Sequence, residues 1–168
     1  GAGVDAPNAK LTIKAVENAD LDGKAYQTAT GAVTDNTAVA KTQMLNSETN
    51  AKIGSSVDID VRELELRAQV AAVDALSDSD AIVPFNVGGF NKAQSVVDVD
   101  LNPLAQIFGA TDINASERVT ISAQADSVKT NADSYTKTTG ATGSLRSIAD
   151  NDKTVDVDVD VQSGVTIK

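Results

Sequence analysis

A chain of 168 residues has the length of one ordinary domain, but this one lacks cysteine, histidine and tryptophan and is only 3% aromatic. Disulfides, imidazole-activated nucleophiles and the usual transition-metal sites are therefore excluded within it, as is a large aromatic core. A formal charge of −10, from 14 basic against 24 acidic side chains, excludes nucleic acid and anionic membrane surfaces as partners.

In chain order, Gly1-Ala2-Gly3-Val4-Asp5 has neither the basic region nor the apolar run of a secretory signal. No later stretch has the length of an apolar membrane-crossing helix, so membrane insertion is not expected. Short strands are expected at Val4-Asp5-Ala6 and Leu11-Thr12-Ile13-Lys14-Ala15, with turns at Asp22-Gly23, Asn50 and Gly54-Ser55-Ser56. Val57-Asp58-Ile59-Asp60-Val61 alternates strictly, which buries Val and Ile and wets every Asp. The stretch from Arg62 to Val73 is rich in helix formers, and Leu66, Val70 and Val73 fit a helical face. Residues 64, 66, 68 and 70 also alternate, and the repeat described below favours a strand there. Pro7, Pro84 and Pro103 are expected at loops or strand ends, and Asn91 and Asn131 at turns. Phe85, Phe90 and Phe108 all fall in the middle of the chain, where they pack a wider coil or form a patch for a partner. Val97-Asp98-Val99-Asp100-Leu101 is a strand. Asn102-Pro103-Leu104-Ala105-Gln106-Ile107-Phe108-Gly109 resembles an inserted loop with one helical turn. The longest alternation, Val155-Asp156-Val157-Asp158-Val159-Asp160-Val161, runs without a break to a turn at Ser163-Gly164.

Four phrases echo one another: Leu11-Thr12-Ile13-Lys14-Ala15, Leu64-Glu65-Leu66-Arg67-Ala68, Val119-Thr120-Ile121-Ser122-Ala123 and Val165-Thr166-Ile167-Lys168. Their starts lie 53, 55 and 46 residues apart. Each follows a short strand with an outward acid or amide, at Val4-Asp5-Ala6, Ile59-Asp60-Val61, Ile113-Asn114-Ala115 and Val159-Asp160-Val161. The segment 25–32, with Tyr26, is matched 109 residues later by 134–141, with Tyr135. Gly88 and Gly89 fall where a copy between them belongs. Such a period marks a solenoid, a propeller or an array. The expected fold is all-β: a right-handed parallel β-helix (β-solenoid) of about three repeats of roughly 50 residues. The approximate repeats are 4–56, 57–110 and 111–160, with 161–168 starting a further copy. A coil of about 20 residues would make roughly eight coils and a rod about 40 Å long.

The alternating Val-Asp strands, the V-x-I-x-A phrases and the Ala/Thr/Ser/Gly-rich connections resemble the β-helix repeats of large bacterial surface proteins, the filamentous-haemagglutinin-like and other giant repetitive adhesins. The resemblance covers most of the chain and is one of style; the calcium-binding nonapeptide G-G-x-G-x-D is absent. It implies a secreted structural protein at the cell surface, a fibre, stalk or adhesin, with no catalytic residues to carry over.

Aspartates at equivalent positions of stacked strands repel one another unless neutralised. Calcium would do so through Asp58, Asp60, Asp98, Asp100, Asp156, Asp158 and Asp160, with Asp150 and Asp152 in a nearby loop. The alternative is a solvated acidic face that opposes lateral aggregation. No cofactor is required on either reading. Strand phrases reach both ends with no cap in sight. Either the ends stack head-to-tail into a homo-oligomer or filament, or they were cut from a longer chain. The functional expectation is a structural subunit or segment of an extracellular filament, sheath or adhesin. The alternative is an adhesin stalk whose loops 84–91 and 102–110 contact a glycan or host surface. A polysaccharide-active enzyme would need paired acids, or calcium with a basic residue. Arginine occurs only at 62, 67, 118 and 146, mostly beside the repeated phrases, so no enzyme is expected.

Overall fold

The computed structural model describes residues 2–85, 87–139 and 143–168, and among them the protein is all-β, without a helix. Its strands are β1 Ala2–Thr28, β2 Asn36–Ile53, β3 Val57–Val83, β4 Phe90–Ile107, β5 Asp112–Ala125, β6 Val128–Thr138, β7 Ser144–Val155, β8 Asp158–Val161 and β9 Thr166–Ile167. The stretch from Arg62 to Val73 lies wholly in β3, because its period-two pattern meets an apolar ladder on either side. Strands β1, β3, β5, β6 and β9 form one open sheet, and β2, β4, β7 and β8 a second. Every pairing between them is parallel.

Paired residues stand 53 to 55 positions apart throughout. One passage out along the first sheet and back along the second therefore uses about 55 residues. The chain makes three such layers, and β9 begins a fourth. This corrects the expected coil of about 20 residues. The stack measures about 10 Å from first to third layer at a strand spacing near 4.8 Å, while the 27 residues of β1 trace about 90 Å. Strands this long survive because irregularities bend them without ending them. Register slips between Ala6 and Lys10, around Pro7, and again between Glu17 and Asn18. A third slip falls between Met44 and Ser47.

Equivalent residues form columns through the layers. Leu11 lies on Leu64 and Leu64 on Val119; Ile13 lies on Leu66 and Leu66 on Ile121. The middle layer is sealed: Leu64, Leu66, Val70, Val97, Val99 and Leu101 are at most 1% exposed. Their neighbours Leu11, Ile13, Val119 and Ile121 are only partly buried, having cover on one side. Toward the far end the interior narrows and turns polar. Asn36 and Asn91 stack there, with Asn36 Nδ2 donating to Asn91 Oδ1 at 3.2 Å and Asn91 Nδ2 to the Ala81 carbonyl at 2.9 Å. Ser95 and Ser79 bridge the two sheets at 2.9 Å. Gly23 belongs to β1 rather than to a turn because a Cβ there would lie 2.3 Å from Thr42 Oγ1. Asn50, Asn91 and Asn131 are likewise inside strands.

Other expectations are also corrected. The segment from Asn102 to Ile107 is strand, not an inserted loop, and Pro103 is buried opposite Thr49. The missing proline N–H falls beside the break between β7 and β8, at Asp156 and Val157. That gap also breaks the expected continuous strand from Val155 to Val161. The fourth phrase lies about eight residues earlier in the layer than its siblings: Thr166 and Ile167 pair with Asp112 and Ile113, not with the third phrase. Its spacing of 46 residues, against 53 and 55, is the sequence trace of that offset. For the same reason Val159 pairs with Ala105, and not with Ile113. Phe85 is 53% exposed, and none of the three phenylalanines enters the buried core. Gly140 and Ala141, matched by sequence to Gly31 and Ala32, lie outside the described residues. Gly88 pairs with Val33, not Gly31.

Candidate functional site

Seven aspartates stand out in the sequence, and the two sheets distribute them. Asp58 and Asp60 alternate with buried Ile59 and Val61 on the outer side of β3, and Asp98 and Asp100 with buried Val97 and Val99 on the outer side of β4. These two sheet faces point away from each other. Asp158 and Asp160 follow on β8, with Asp156 in the link before it, and Asp156 and Asp158 border a shallow groove with Asn50, Lys52 and Asn102. Asp150 and Asp152 lie in β7 and not in a loop. Among the described residues no three acidic, histidine or cysteine side chains are grouped so as to hold a metal ion.

The layers place amides beside carboxylates in several columns. Asp60 lies between Asp5 and Asn114, and Asn114 Nδ2 donates to Asp60 Oδ1 at 3.4 Å. Asp98 lies between Gln43 and Asp152, with Gln43 Nε2 donating to it at 3.2 Å. Gln106 Nε2 donates to Asp160 at 2.7 Å, and Gln69 and Gln124 both donate to Asp126. Side-chain amides thus supply donors that the sequence reading assigned to calcium or to water. They were missed because a column partner is invisible until the offset of 54 or 55 is known. Among the described residues the Asp58–Asp112 pair has no side-chain amide partner and stays a like-charge contact below Gly3.

Ion pairs also link layers. Lys10 bonds Glu65, and Arg118 Nη2 donates to Glu63 at 2.8 Å. The Lys10 ammonium holds the Glu65 carboxyl below the usual carboxylate range. Asp22, 2.7 Å from Lys24 Nζ, raises the Lys24 ammonium above its ordinary value, with a smaller push from Asp78. Tyr26 and Tyr135 share a column but are separated by Asp80, and both are at least half exposed.

The larger feature is the pair of open edges. Strands β1 and β2 have partners on one side only, and so do the third-layer strands apart from the short cover of β9. The seal is lost at part of these edges: Ala51 and Ile53 of β2 stay 2% and 4% exposed, but their third-layer counterparts open. Val159 and Val161 are 45% and 44% exposed, whereas Ala105 and Ile107 above them are 0%. Val4, over buried Ile59, is 37% exposed. The β1 edge and the third-layer edge therefore present unpaired backbone together with partly exposed apolar interior, the combination that templates further strand addition, whereas the β2 edge presents unpaired backbone over a buried interior. No family model, curated protein or solved structure matches the chain.

Proposed function

We propose that this chain is a structural unit, a right-handed parallel β-solenoid segment of an extracellular bacterial filament, sheath or adhesin that self-associates through its open edges. One observation carries the reading: three parallel passes in register, whose β1 edge and third-layer edge leave part of their apolar columns exposed, at Val4, Val159 and Val161, while the middle layer is sealed. Load along the stack is borne by inter-layer backbone hydrogen bonds and by the Leu, Ile, Val and Ala ladders, while the acidic exterior keeps the stack hydrated and resists lateral aggregation. The right-handed sense rests on the general preference of parallel crossovers.

The second reading is an adhesin stalk that contacts a glycan or host surface. It retains only one of its two loops, since Asn102–Ile107 is strand, and it rests on Phe85 and Val87, which are 53% and 47% exposed between β3 and β4. Negative-stain electron microscopy with sedimentation velocity tests the first reading. Filaments or rods longer than one chain, with a fibre-diffraction repeat near 4.8 Å along their axis, are expected. A monomer that persists at high concentration overturns self-association.

A further inference from the structure

Resting on that self-association reading, we propose a specific partner and register: the third layer of one chain receives the first layer of a second copy at the same offset that relates its own layers, so that Asp150 meets Lys41 and Asp160 meets Lys52 of the copy.

The argument is charge complementarity, read column by column. Within the chain the layers are poorly matched. Between first and second layers, Lys10 faces Glu63 and Lys24 faces Asp78, but Asp5 faces Asp60, Lys14 faces Arg67 and Asp20 faces Asp74. Between second and third, Glu63 faces Arg118 and Asp74 faces Lys129. Against these, Asp58 faces Asp112, Asp78 faces Asp133, Lys92 faces Arg146 and Asp98 faces Asp152.

The balance reverses when a first layer continues the third. Lys41 shares its column with Val96 and Asp150, and Lys52 with Gln106 and Asp160. Asp20 shares its column with Asp74 and Lys129, and Lys24 with Asp78 and Asp133. Repeating the stack therefore creates four opposite-charge contacts, Lys41–Asp150, Lys52–Asp160, Asp20–Lys129 and Lys24–Asp133. It creates two like-charge contacts, Lys10 against Arg118 and Glu48 against Asp156, the latter in the gap between β7 and β8. The Asp78–Asp133 repulsion becomes bracketed by a Lys24 on each side. An uncharged contact agrees: Val39, 52% exposed, would cover Ile148. Parallel strand addition over two sheets supplies the affinity, and the charges select this register over a slipped one.

One strip competes for the site. Thr166 and Ile167 occupy the fourth-layer positions on Asp112 and Ile113, and Lys168 N–H donates to the Ile113 carbonyl at 2.8 Å. In a docked copy those positions belong to Gly3 and Val4. The register slip around Pro7 separates Ala2–Ala6 from the rest of β1, so either strip can yield without moving residues 10–28. β9 is thus a partial plug over this edge.

The test uses the Lys41–Asp150 column, whose middle member Val96 is uncharged, so that reversal changes no charge contact between layers of one chain. Association is measured by sedimentation equilibrium on the full chain and on a variant ending at Gly164. Lys41→Asp and Asp150→Lys are each expected to weaken association about tenfold, and the double reversal to restore it to within about threefold. Removal of 165–168 is expected to strengthen association. Circular dichroism checks that each variant is folded. Association that ignores the single reversals, or that the double reversal does not restore, overturns this register while leaving self-association standing. No association by either the full chain or the shortened one overturns both.

Discussion

Leucine 64 and leucine 11 occupy one column in adjacent layers, which makes them a controlled pair. Leu64 is 1% exposed, is covered by Leu11 and Val119 on its two sides, and belongs to the cluster that includes Ala105 and Ile107 on the second sheet. Leu11 has the same chemistry but cover on one side only. Leu64→Ala removes the transfer free energy of the lost methyl groups and leaves a cavity that two continuous ladders cannot close. The expected loss is about 3–4 kcal/mol. Leu11→Ala opens toward solvent and leaves no enclosed void, so about 1–2 kcal/mol is expected. Urea denaturation followed by far-ultraviolet circular dichroism reads both, and the Leu64 variant should lose about 10 °C in Tm. Equal losses at the two sites, or a Leu64 loss below about 1 kcal/mol, would refute the sealed middle layer. In associated samples the Leu11 penalty should grow toward that of Leu64, because the docked copy covers it.

Two further outcomes follow from the turns and the charges. The turn that returns the chain from the second sheet to the first places Ser56, Ala110 and Gly164 at φ of 58°, 58° and 86°. Left-handed backbone costs a non-glycine residue about 1–2 kcal/mol, of which glycine's extra unfolded-state freedom takes back part. Ser56→Gly and Ala110→Gly should therefore each raise stability by about 0.5–1 kcal/mol, and Gly164→Ala should lower it; urea midpoints that move the other way would contradict the turn assignment. Glu65 titrates below its unfolded value because of Lys10. That pair contributes stability above the unfolded carboxylate pKa, near about 4.3, and loses it as pH falls through the folded value. Lys10→Met should flatten the decline of the urea midpoint on acidification below about pH 5, and an unchanged slope would show that the pair contributes nothing.

Much of the fold was legible because a parallel stack repeats its local chemistry. Val4, Ile59 and Ile113 look alike in sequence, and Leu11, Leu64 and Val119 do too, because each column must fill one groove of the interior. Alternation alone marked Val57–Val61 of β3 and Val97–Leu101 of β4 as strand with one face buried and an acidic face outside; the repeat decided 62–73, and 102–107 read as a loop. Punctuation misled where it met the narrow end of the interior. Gly23 reads as a turn but is the only size that fits beside Thr42, and Asn91 reads as a turn but bonds its neighbouring layer and the opposite sheet.

By itself the sequence determined the class of structure, the period of repetition and the sign of the surface, since all three follow from residue spacing and composition. Only the tertiary structure decided how far the chain travels before it meets itself. That distance sets how many layers there are, which carboxylate lies beside an amide, and that Pro103 falls beside a gap in the ladder. The physical reason is that alternation is a property of one strand, satisfied within a few residues. Register between layers is fixed by contacts among residues more than fifty positions apart, and no local pattern records which of them meet.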